Sequence, residues 1–138
     1  MRKVMAFGTF DIVHQGHLYY LQEAKKLGDY LIVVVARDKN SVVIKGKKPL
    51  HNEKARLEEI KKLDFVNEAV LGDREMRSWS TIQKHRPQII ALGYDQWKSE
   101  FSLAQELGKL GLHPMIVRIK PFQPEKFKTS KILQNKEK

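Results

Sequence analysis

Five short apolar runs alternate with segments of helical periodicity along this chain of 138 residues. The runs are KVMAF (3–7), YLIVVVA (30–36), EAVLG (68–72), QIIALG (88–93) and PMIVRI (114–119). The second run is continuous and β-branched, which is typical of a strand buried on both faces. After the first run, Leu18, Leu21, Ala24 and Leu27 recur every three residues, as on one face of a helix. The pattern predicts strands that alternate with helices.

Caps and breakers between the runs set the expected ends of the helices. Gly28 and Gly111 stand where C-cap glycines belong, Asn52 is a suitable N-cap, and Pro87 stops a helix. Residues 37–51 are polar and basic and are expected to form a long loop. The expected helices cover residues 18–27, 52–63, 78–85 and 100–110, and a last short helix begins at Thr129.

Alternating strands and helices with buried strands indicate an α/β fold with a parallel sheet covered on both faces. Right-handed crossovers predict a single Rossmann-like, doubly wound sheet of five strands in the order 3-2-1-4-5. We expect one domain over residues 1–134 and a frayed basic tail at 135–138. In this order the winding reverses between strands 1 and 4, and the crevice at their carboxyl ends is the expected binding site.

Composition and charge narrow the class of protein. The chain contains no cysteine, which excludes disulfides and cysteine-ligated zinc and suits a reducing cytoplasm. No apolar run approaches the roughly 20 residues of a membrane span, and no signal-peptide pattern opens the chain. Residues 37–62 carry nine Lys/Arg against four Asp/Glu, and residues 120–138 carry six against two. This charge favours a polyanionic partner, although a solvated basic face would look the same.

The loop after the first strand, GTFDIVHQGH, places two histidines around a glycine where a helix should begin. A metal site would need Asp11 or Asp95 as a third ligand, and nucleophilic catalysis lacks a cysteine or a serine elbow. A phosphate site explains more, because a helix N-terminus offers free N–H groups to anions. Gly8 and Gly16 let the backbone approach a phosphate closely, and imidazoles can donate to its oxygens.

The same stretch resembles the signature of the cytidylyltransferase-like nucleotidyltransferases, whose hallmark is His-x-Gly-His after the first strand. The blocks LQEAKKLGDYLIVVVARD, KGKKP, LGYDQW and KTSKI, together with Arg56, fall in the order of that family. The resemblance covers nearly the whole chain. It implies transfer of a nucleotidyl group to a phosphate-bearing acceptor, with release of pyrophosphate and no covalent intermediate.

The resemblance also implies roles for individual residues. His14, His17 and Lys45 would form the catalytic group, with both imidazoles stabilising the α-phosphate in the transition state. The nucleotide would be bound by residues from five segments: Thr9, Phe10, His14, Gln15, Gly16, His17, Lys47, Asp95, Thr129 and Ser130. Phe122, between two prolines after strand 5, is added as a candidate wall of the base pocket. Arg56 and Trp97 are the candidates for binding the acceptor.

Several of these residues have simpler interpretations. Asp11 could cap the turn instead of orienting metal-bound water. Arg56 could simply form an ion pair with a neighbouring glutamate. Lys45 and Lys47 could be ordinary loop charges, and Trp97 could pack rather than stack. No residue is assigned as a metal ligand. The family resemblance implies a divalent ion, Mg²⁺, held through the nucleotide phosphates, and a homodimer.

Within the family, VVVARDKN and LGYDQ look most like the archaeal FAD synthases, which transfer AMP from ATP to FMN. The alternatives are transfer of CMP from CTP to glycerol 3-phosphate, transfer to another phosphate acceptor such as pantetheine phosphate or a sugar phosphate, and a non-catalytic nucleotide-binding module. The intact histidines and lysines favour an enzyme, because a pure binder needs no transition-state donors. No RNA-binding pattern of aromatics among basic residues appears, so the expected partners are small molecules, with no nucleic acid and no membrane.

Overall fold

The structure is a computed structural model in which residues 1–122 are described. Five strands form its sheet: β1 Lys3–Gly8, β2 Tyr30–Val35, β3 Glu68–Leu71, β4 Ile89–Leu92 and β5 Met115–Arg118. Five helices connect them: α1 Gln15–Lys25, α2 Asp38–Lys45, α3 Glu53–Lys61, α4 Ser80–His85 and α5 Glu100–Gly108. The expected last helix and the boundary at residue 134 lie outside the described residues.

All strand pairs are parallel and the order is β3-β2-β1-β4-β5, as the sequence predicts. At the centre, Ala6 of β1 is opposite Val33 of β2 and Ala91 of β4. The loops after β1 and β4 therefore leave the sheet side by side at its carboxyl edge, where the winding reverses.

Both faces of the sheet are covered by helices. Leu31, Val33 and Val35 of β2 pack in a cluster with residues of α1 and α3, whereas Ile32 and Val34 pack with residues of α4 and α5. Successive side chains of a strand point to opposite faces, so burial on both sides explains the unbroken apolar run of β2. In the described part of the chain, no helix is long and apolar enough to span a membrane.

The segment 37–51 differs from the expected loop, because α2 occupies its first half. The helix ends at Gly46, whose φ of 80° is the left-handed conformation that favours glycine. Asn40 and Ser41 are buried, and the Asn40 Nδ2 donates to the Asp73 carbonyl oxygen at 2.9 Å. A contact between segments that are distant in sequence thus stabilises this short helix.

Two predicted caps have different outcomes. Asn52 is the N-cap of α3, since its Oδ1 accepts the Ala55 N–H at 2.8 Å. Gly28 is not a C-cap, because α1 ends at Lys25 with Lys26 as its cap. Gly28 instead lies where an added Cβ would come within 2.6 Å of the Arg2 carbonyl oxygen. Close approach of two backbone segments therefore explains this glycine.

Candidate functional site

The crevice begins where β1 and β4 separate, and two side chains satisfy the backbone groups exposed there. The Tyr20 hydroxyl accepts the Phe7 N–H at 3.1 Å and donates to the Ala91 carbonyl oxygen at 2.6 Å. The Gln96 amide donates to the Phe7 carbonyl oxygen at 2.7 Å and accepts the Gly93 N–H at 2.9 Å. Burial of the Tyr20 hydroxyl raises its pKa, so it stays a neutral donor. The two loops of the crevice are thus fixed to each other.

His14 and His17 form a reciprocal cap at the start of α1. The His14 Nδ1 accepts the Gly16 N–H at 3.1 Å, and the His17 Nδ1 accepts the His14 N–H at 3.4 Å. The two rings stack with centroids 3.9 Å apart and 24° between their planes. Because each Nδ1 acts as an acceptor, the proton of each neutral ring is on Nε2. The Nε2 atoms of both rings therefore take no part in the cap.

His17 is held in its neutral form. Burial of the ring, the neighbouring His14 and the charge of Lys45 together lower the His17 pKa to about 4. The edge of the Phe10 ring also packs against His17, with centroids 5.3 Å apart. At neutral pH His17 can therefore donate a hydrogen bond without carrying a charge, and Lys45 lies close enough to act on the same group.

A side chain larger than that of glycine would be crowded at two points of the histidine loop. An added Cβ at Gly8 would lie 2.6 Å from the Phe10 Cζ, and one at Gly16 would lie 3.0 Å from the His14 Cε1. Phe10 has a φ of 54°, and its side chain is buried in the core. Thr9 is also buried. Because the Phe10 side chain is buried, Phe10 could contact a nucleotide through its backbone only.

Asp11 joins the histidine loop to the segment that follows α2. Its carboxylate accepts the backbone N–H of Leu50 at 2.8 Å and that of His51 at 2.9 Å. These two bonds lower the pKa of Asp11. Of the two interpretations of Asp11, the structure favours a structural one, although the carboxylate bridges two loops rather than capping its own turn.

Arg56 is fully buried beneath the crevice. Its Nη2 pairs with the Asp38 carboxylate at 2.7 Å. Its other donors reach three backbone carbonyl oxygens at 2.8–3.0 Å, those of Thr9, Ala36 and His51. The expected role in acceptor binding finds no support in these contacts, because the guanidinium is enclosed. The carboxylate that pairs with Arg56 also belongs to an aspartate, not to the expected glutamate. Arg56 holds together the ends of β1 and β2 and the starts of α2 and α3.

Arg118 binds backbone carbonyl oxygens on the other side of the crevice, as Arg56 does on its own side. Both its Nε and Nη2 bind the Glu100 carboxylate, at 3.1 and 2.9 Å, and this lowers the pKa of Glu100. Its Nη1 and Nη2 also donate at 2.7–3.1 Å to the carbonyl oxygens of Gly93, Tyr94, Gln96 and Trp97. Sequence reasoning missed this residue; the available signal was a lone charge in the apolar run PMIVRI. Asp95, within the loop that Arg118 binds, is exposed.

Trp97 belongs to an aromatic cluster at the start of α5. Its indole N–H donates to the Ser102 Oγ at 3.1 Å, and its ring packs edge-on to Trp79 at 5.4 Å. The Arg77 guanidinium lies over the same ring, 5.1 Å from its centroid. These contacts favour packing over acceptor binding. Phe122 packs on Tyr19 of α1, with centroids 5.6 Å apart.

The remaining expected site residues fall into two groups. Gln15, Lys45 and Lys47 are exposed, with Gln15 and Lys45 at ends of helices that border the crevice. Thr129 and Ser130 lie outside the described residues.

The carboxylates and imidazoles near the crevice do not form a metal site by themselves. Within residues 1–122, no three His, Asp or Glu side chains are grouped so as to hold a metal ion. The nearest donors are committed elsewhere: the Asp11 oxygens accept backbone N–H groups, as does the Nδ1 of both histidines. These residues fit a divalent ion only if it arrives bound to the phosphates of a nucleotide.

Comparison with known proteins gives consistent matches. The family model described as cytidylyltransferase-like matches residues 5–135. The FAD synthase of Ferroglobus placidus is 50% identical over 121 residues, which cover 87% of this chain and 77% of that protein. The FAD synthase of Thermoplasma volcanium is 47% identical over 122 residues, or 88% and 84% of the two chains. The crystal structure of a lipopolysaccharide core biosynthesis protein from Thermoplasma volcanium matches with a TM-score of 0.84 and 46% identity, covering 89% of this chain and 99% of that one.

Proposed function

We propose that this chain, which belongs to the cytidylyltransferase-like family, is an enzyme that transfers AMP from ATP to FMN and forms FAD and pyrophosphate. The family expected from the histidine motif is confirmed. The observation that carries the proposal is the reciprocal histidine cap at the N-terminal end of α1, which uses the Nδ1 of both rings and leaves both Nε2 atoms outside the cap. The preference for FMN comes from relatives that are FAD synthases at 40–50% identity.

The reaction needs no nucleophile from the protein. A phosphate oxygen of FMN, already ionised at neutral pH, attacks the α-phosphorus of ATP. The new P–O bond forms as the bond between the α-phosphorus and the bridging oxygen breaks, and that oxygen leaves with pyrophosphate. His14 and His17 donate hydrogen bonds to oxygens whose charge changes in the transition state, and Lys45 adds positive charge beside His17. Because the pKa of His17 is lowered to about 4, His17 does this at neutral pH without carrying a charge.

The same proposal assigns the other expected residues. The nucleotide is bound by the backbone at Thr9 and Phe10, by Gln15, Gly16 and Lys47, and by Asp95, whose exposed carboxylate suits a ribose hydroxyl. Phe122, Thr129 and Ser130 stay in the proposal as further nucleotide contacts. A divalent ion, Mg²⁺, would be held through the phosphates of the nucleotide and would offset part of their negative charge. A cytoplasmic homodimer completes the proposal, and light scattering tests the oligomeric state.

A matrix of substrates tests the function. ATP and CTP are each combined with FMN or glycerol 3-phosphate, and pyrophosphate release is measured with and without His17→Ala. ATP with FMN should release pyrophosphate and yield FAD, and the variant should lose most of this turnover. Release with CTP and glycerol 3-phosphate alone would assign the other member of the family. Nucleotide binding without turnover in every combination would leave a non-catalytic module.

A further inference from the structure

A short basic stretch lies at the end of α2. Its members are Lys45, Gly46, Lys47 and Lys48, and we call residues 45–48 the lysine segment. All three lysines are exposed. Within residues 1–122 none of them pairs with a carboxylate, whereas Lys62 at the end of α3 pairs with a glutamate at 2.8 Å. Adjacent cations without a counter-charge favour a polyanionic ligand.

Hydrogen bonds fix the lysine segment at its ends rather than along its length. Within residues 1–122, no hydrogen bond joins Lys47 or Lys48 to another residue. Gly46 stands in open space, because an added Cβ there would meet no atom within 4 Å. Before the segment, α2 is held by the bond from the Asn40 Nδ2 to the Asp73 carbonyl oxygen. The path of the segment therefore depends on what holds the chain after it.

Asp11 holds the chain after the lysine segment. Its Oδ2 accepts the Leu50 N–H at 2.8 Å, and its Oδ1 accepts the His51 N–H at 2.9 Å. The His51 Nδ1 also lies 3.0 Å from the Asp11 carbonyl oxygen. Arg56 binds the opposite side of His51, its carbonyl oxygen, at 3.0 Å. Because Arg56 does not reach Leu50, the position of the Leu50 peptide depends on the Asp11 carboxylate.

Short stretches of chain join this contact to both groups of basic side chains. Leu50 comes three residues after Lys47, and Asp11 comes three residues before His14. An extended chain covers at most about 3.6 Å per residue, so each of these pairs of Cα atoms is within about 11 Å. The charge of Lys45 also acts on His17. Asp11 thus connects the lysine segment to the histidine pair.

The charge of Asp11 separates two interpretations of this contact. An ionised carboxylate close to a site for phosphates opposes their binding, so removal of its charge alone should improve affinity. Asparagine removes the charge but also turns an NH₂ group toward one of the two backbone N–H donors, where an acceptor is needed. If the bonds matter more than the charge, asparagine should weaken the site. The two interpretations therefore predict effects of opposite sign.

We propose that Asp11 is a positioning residue, which holds the lysine segment beside the histidine pair so that Lys45 and Lys47 meet the phosphates of the bound nucleotide. This inference rests on the proposed function and adds to it the link between its two groups of phosphate-binding side chains. Asp11 acts through the backbone of Leu50 and His51 and contacts no substrate itself.

The test is steady-state FAD formation by Asp11→Asn against wild type and the control Asp29→Asn. The Asp29 carboxylate also accepts the N–H of a distant residue, Arg2 at 2.9 Å, but these residues precede β2 and β1, at the opposite edge of the sheet. Asp11→Asn should lower kcat/KM for ATP about ten- to hundredfold, and Asp29→Asn should resemble wild type. Asp11→Glu keeps the charge but moves the oxygens by about 1.5 Å, so it should also lose activity.

A double-mutant cycle distinguishes positioning of the lysines from a general loss of structure. In the background Lys45→Ala/Lys47→Ala, Asp11→Asn should lower kcat/KM by less than about twofold, because the side chains that it positions are already gone. Equilibrium binding of ATP gives the same cycle where turnover is too slow to measure. Amide exchange at Leu50 should become faster in Asp11→Asn while the amides of α1 are unchanged, and urea unfolding verifies the fold of each variant.

Three results would overturn the inference. Unchanged or improved kcat/KM in Asp11→Asn would show that the carboxylate acts only through its charge. Equal fold losses with and without the two lysines would make its effect independent of them. An equal loss in Asp29→Asn would assign the effect to stability. Failure of wild type to make FAD would instead remove the proposed function; the inference would then fall as well if Asp11→Asn bound ATP as wild type does.

Discussion

The Tyr20 hydroxyl and the Gln96 side-chain oxygen lie 3.3 Å apart and together bridge the two strands between which the crevice opens. Tyr20 is on the helix that begins with His14 and His17, and Gln96 follows Asp95 directly. The bridge therefore sets the distance between the two sets of side chains that the proposed function assigns to one nucleotide.

Tyr20→Phe should lower both stability and turnover. The change keeps the ring but leaves the Phe7 N–H and the Ala91 carbonyl oxygen without the hydroxyl, at about 1–3 kcal/mol for an unpaired buried group. Turnover should fall because the histidines and Asp95 lose their common support. Urea unfolding and FAD formation measure the two effects. Tyr30→Phe is the control, since within residues 1–122 the Tyr30 hydroxyl bonds the Glu68 carboxylate alone, at 3.0 Å; equal losses in both variants would contradict this account.

His17→Ala should lower kcat by roughly 10²–10³, by analogy with the loss of one oxyanion donor, and alter ATP affinity much less. The reason is that the donor acts on charge that grows in the transition state. Single-turnover kinetics and equilibrium ATP binding separate the two quantities. An unchanged kcat with weaker ATP binding would make His17 a simple binding residue.

The low pKa of His17 has a consequence for stability. Its pKa is lowered from 6.5 to about 4 in the folded protein, so between these values the unfolded state binds more protons. Its contribution is therefore complete above pH 6.5 and is lost as the pH falls toward 4. Denaturation midpoints of wild type and His17→Asn across this range should converge toward the acid end. A difference that is constant with pH would show that His17 titrates normally.

Arg56→Met should destabilise the protein by at least about 2 kcal/mol, because it leaves several buried carbonyl oxygens unpaired. Lys61→Met is the control, since its exposed pair with Glu58 at 3.5 Å is expected to contribute about 0–1 kcal/mol. Chemical denaturation measures both. If Arg56→Met keeps its stability and loses only FMN affinity, Arg56 binds the acceptor after all.

Ser41→Ala should leave stability unchanged or raise it. Ser41 Oγ is buried and is the one buried side-chain polar atom in residues 1–122 without a hydrogen-bond partner. An unpaired buried hydroxyl costs about 1–3 kcal/mol, and alanine removes it. Thermal unfolding measures the change, with Ser80→Ala, on the exposed start of α4, as the control. A clear loss of stability in Ser41→Ala would show that the hydroxyl has a partner in solution.

The strand order could be predicted from the sequence because apolar runs such as that of β2 report their burial directly. The histidine loop could also be predicted from the sequence, since its two histidines and its glycines are close together in the chain. Helix α2 could not be predicted in this way, because its buried Asn40 side chain depends on the carbonyl group of Asp73, which is distant in sequence. The sequence analysis missed Arg118 and did not foresee the buried contacts of Arg56, for a similar reason. Whether an arginine meets a substrate or a ring of backbone carbonyls depends on segments that come together only in the fold.

Arg118 binds the loop after β4 through its carbonyl oxygens and contacts none of that loop's side chains by hydrogen bond. The path of the loop is therefore independent of which residues stand at positions 94 and 95, whose side chains are exposed. The proposed function assigns Asp95 to the nucleotide, so under that proposal substitutions there would alter the nucleotide contact while the support beneath stays intact. If the proposal holds, Asp95 and its exposed neighbour Tyr94 are the positions at which to engineer a change of nucleotide contact, with Arg118 left in place.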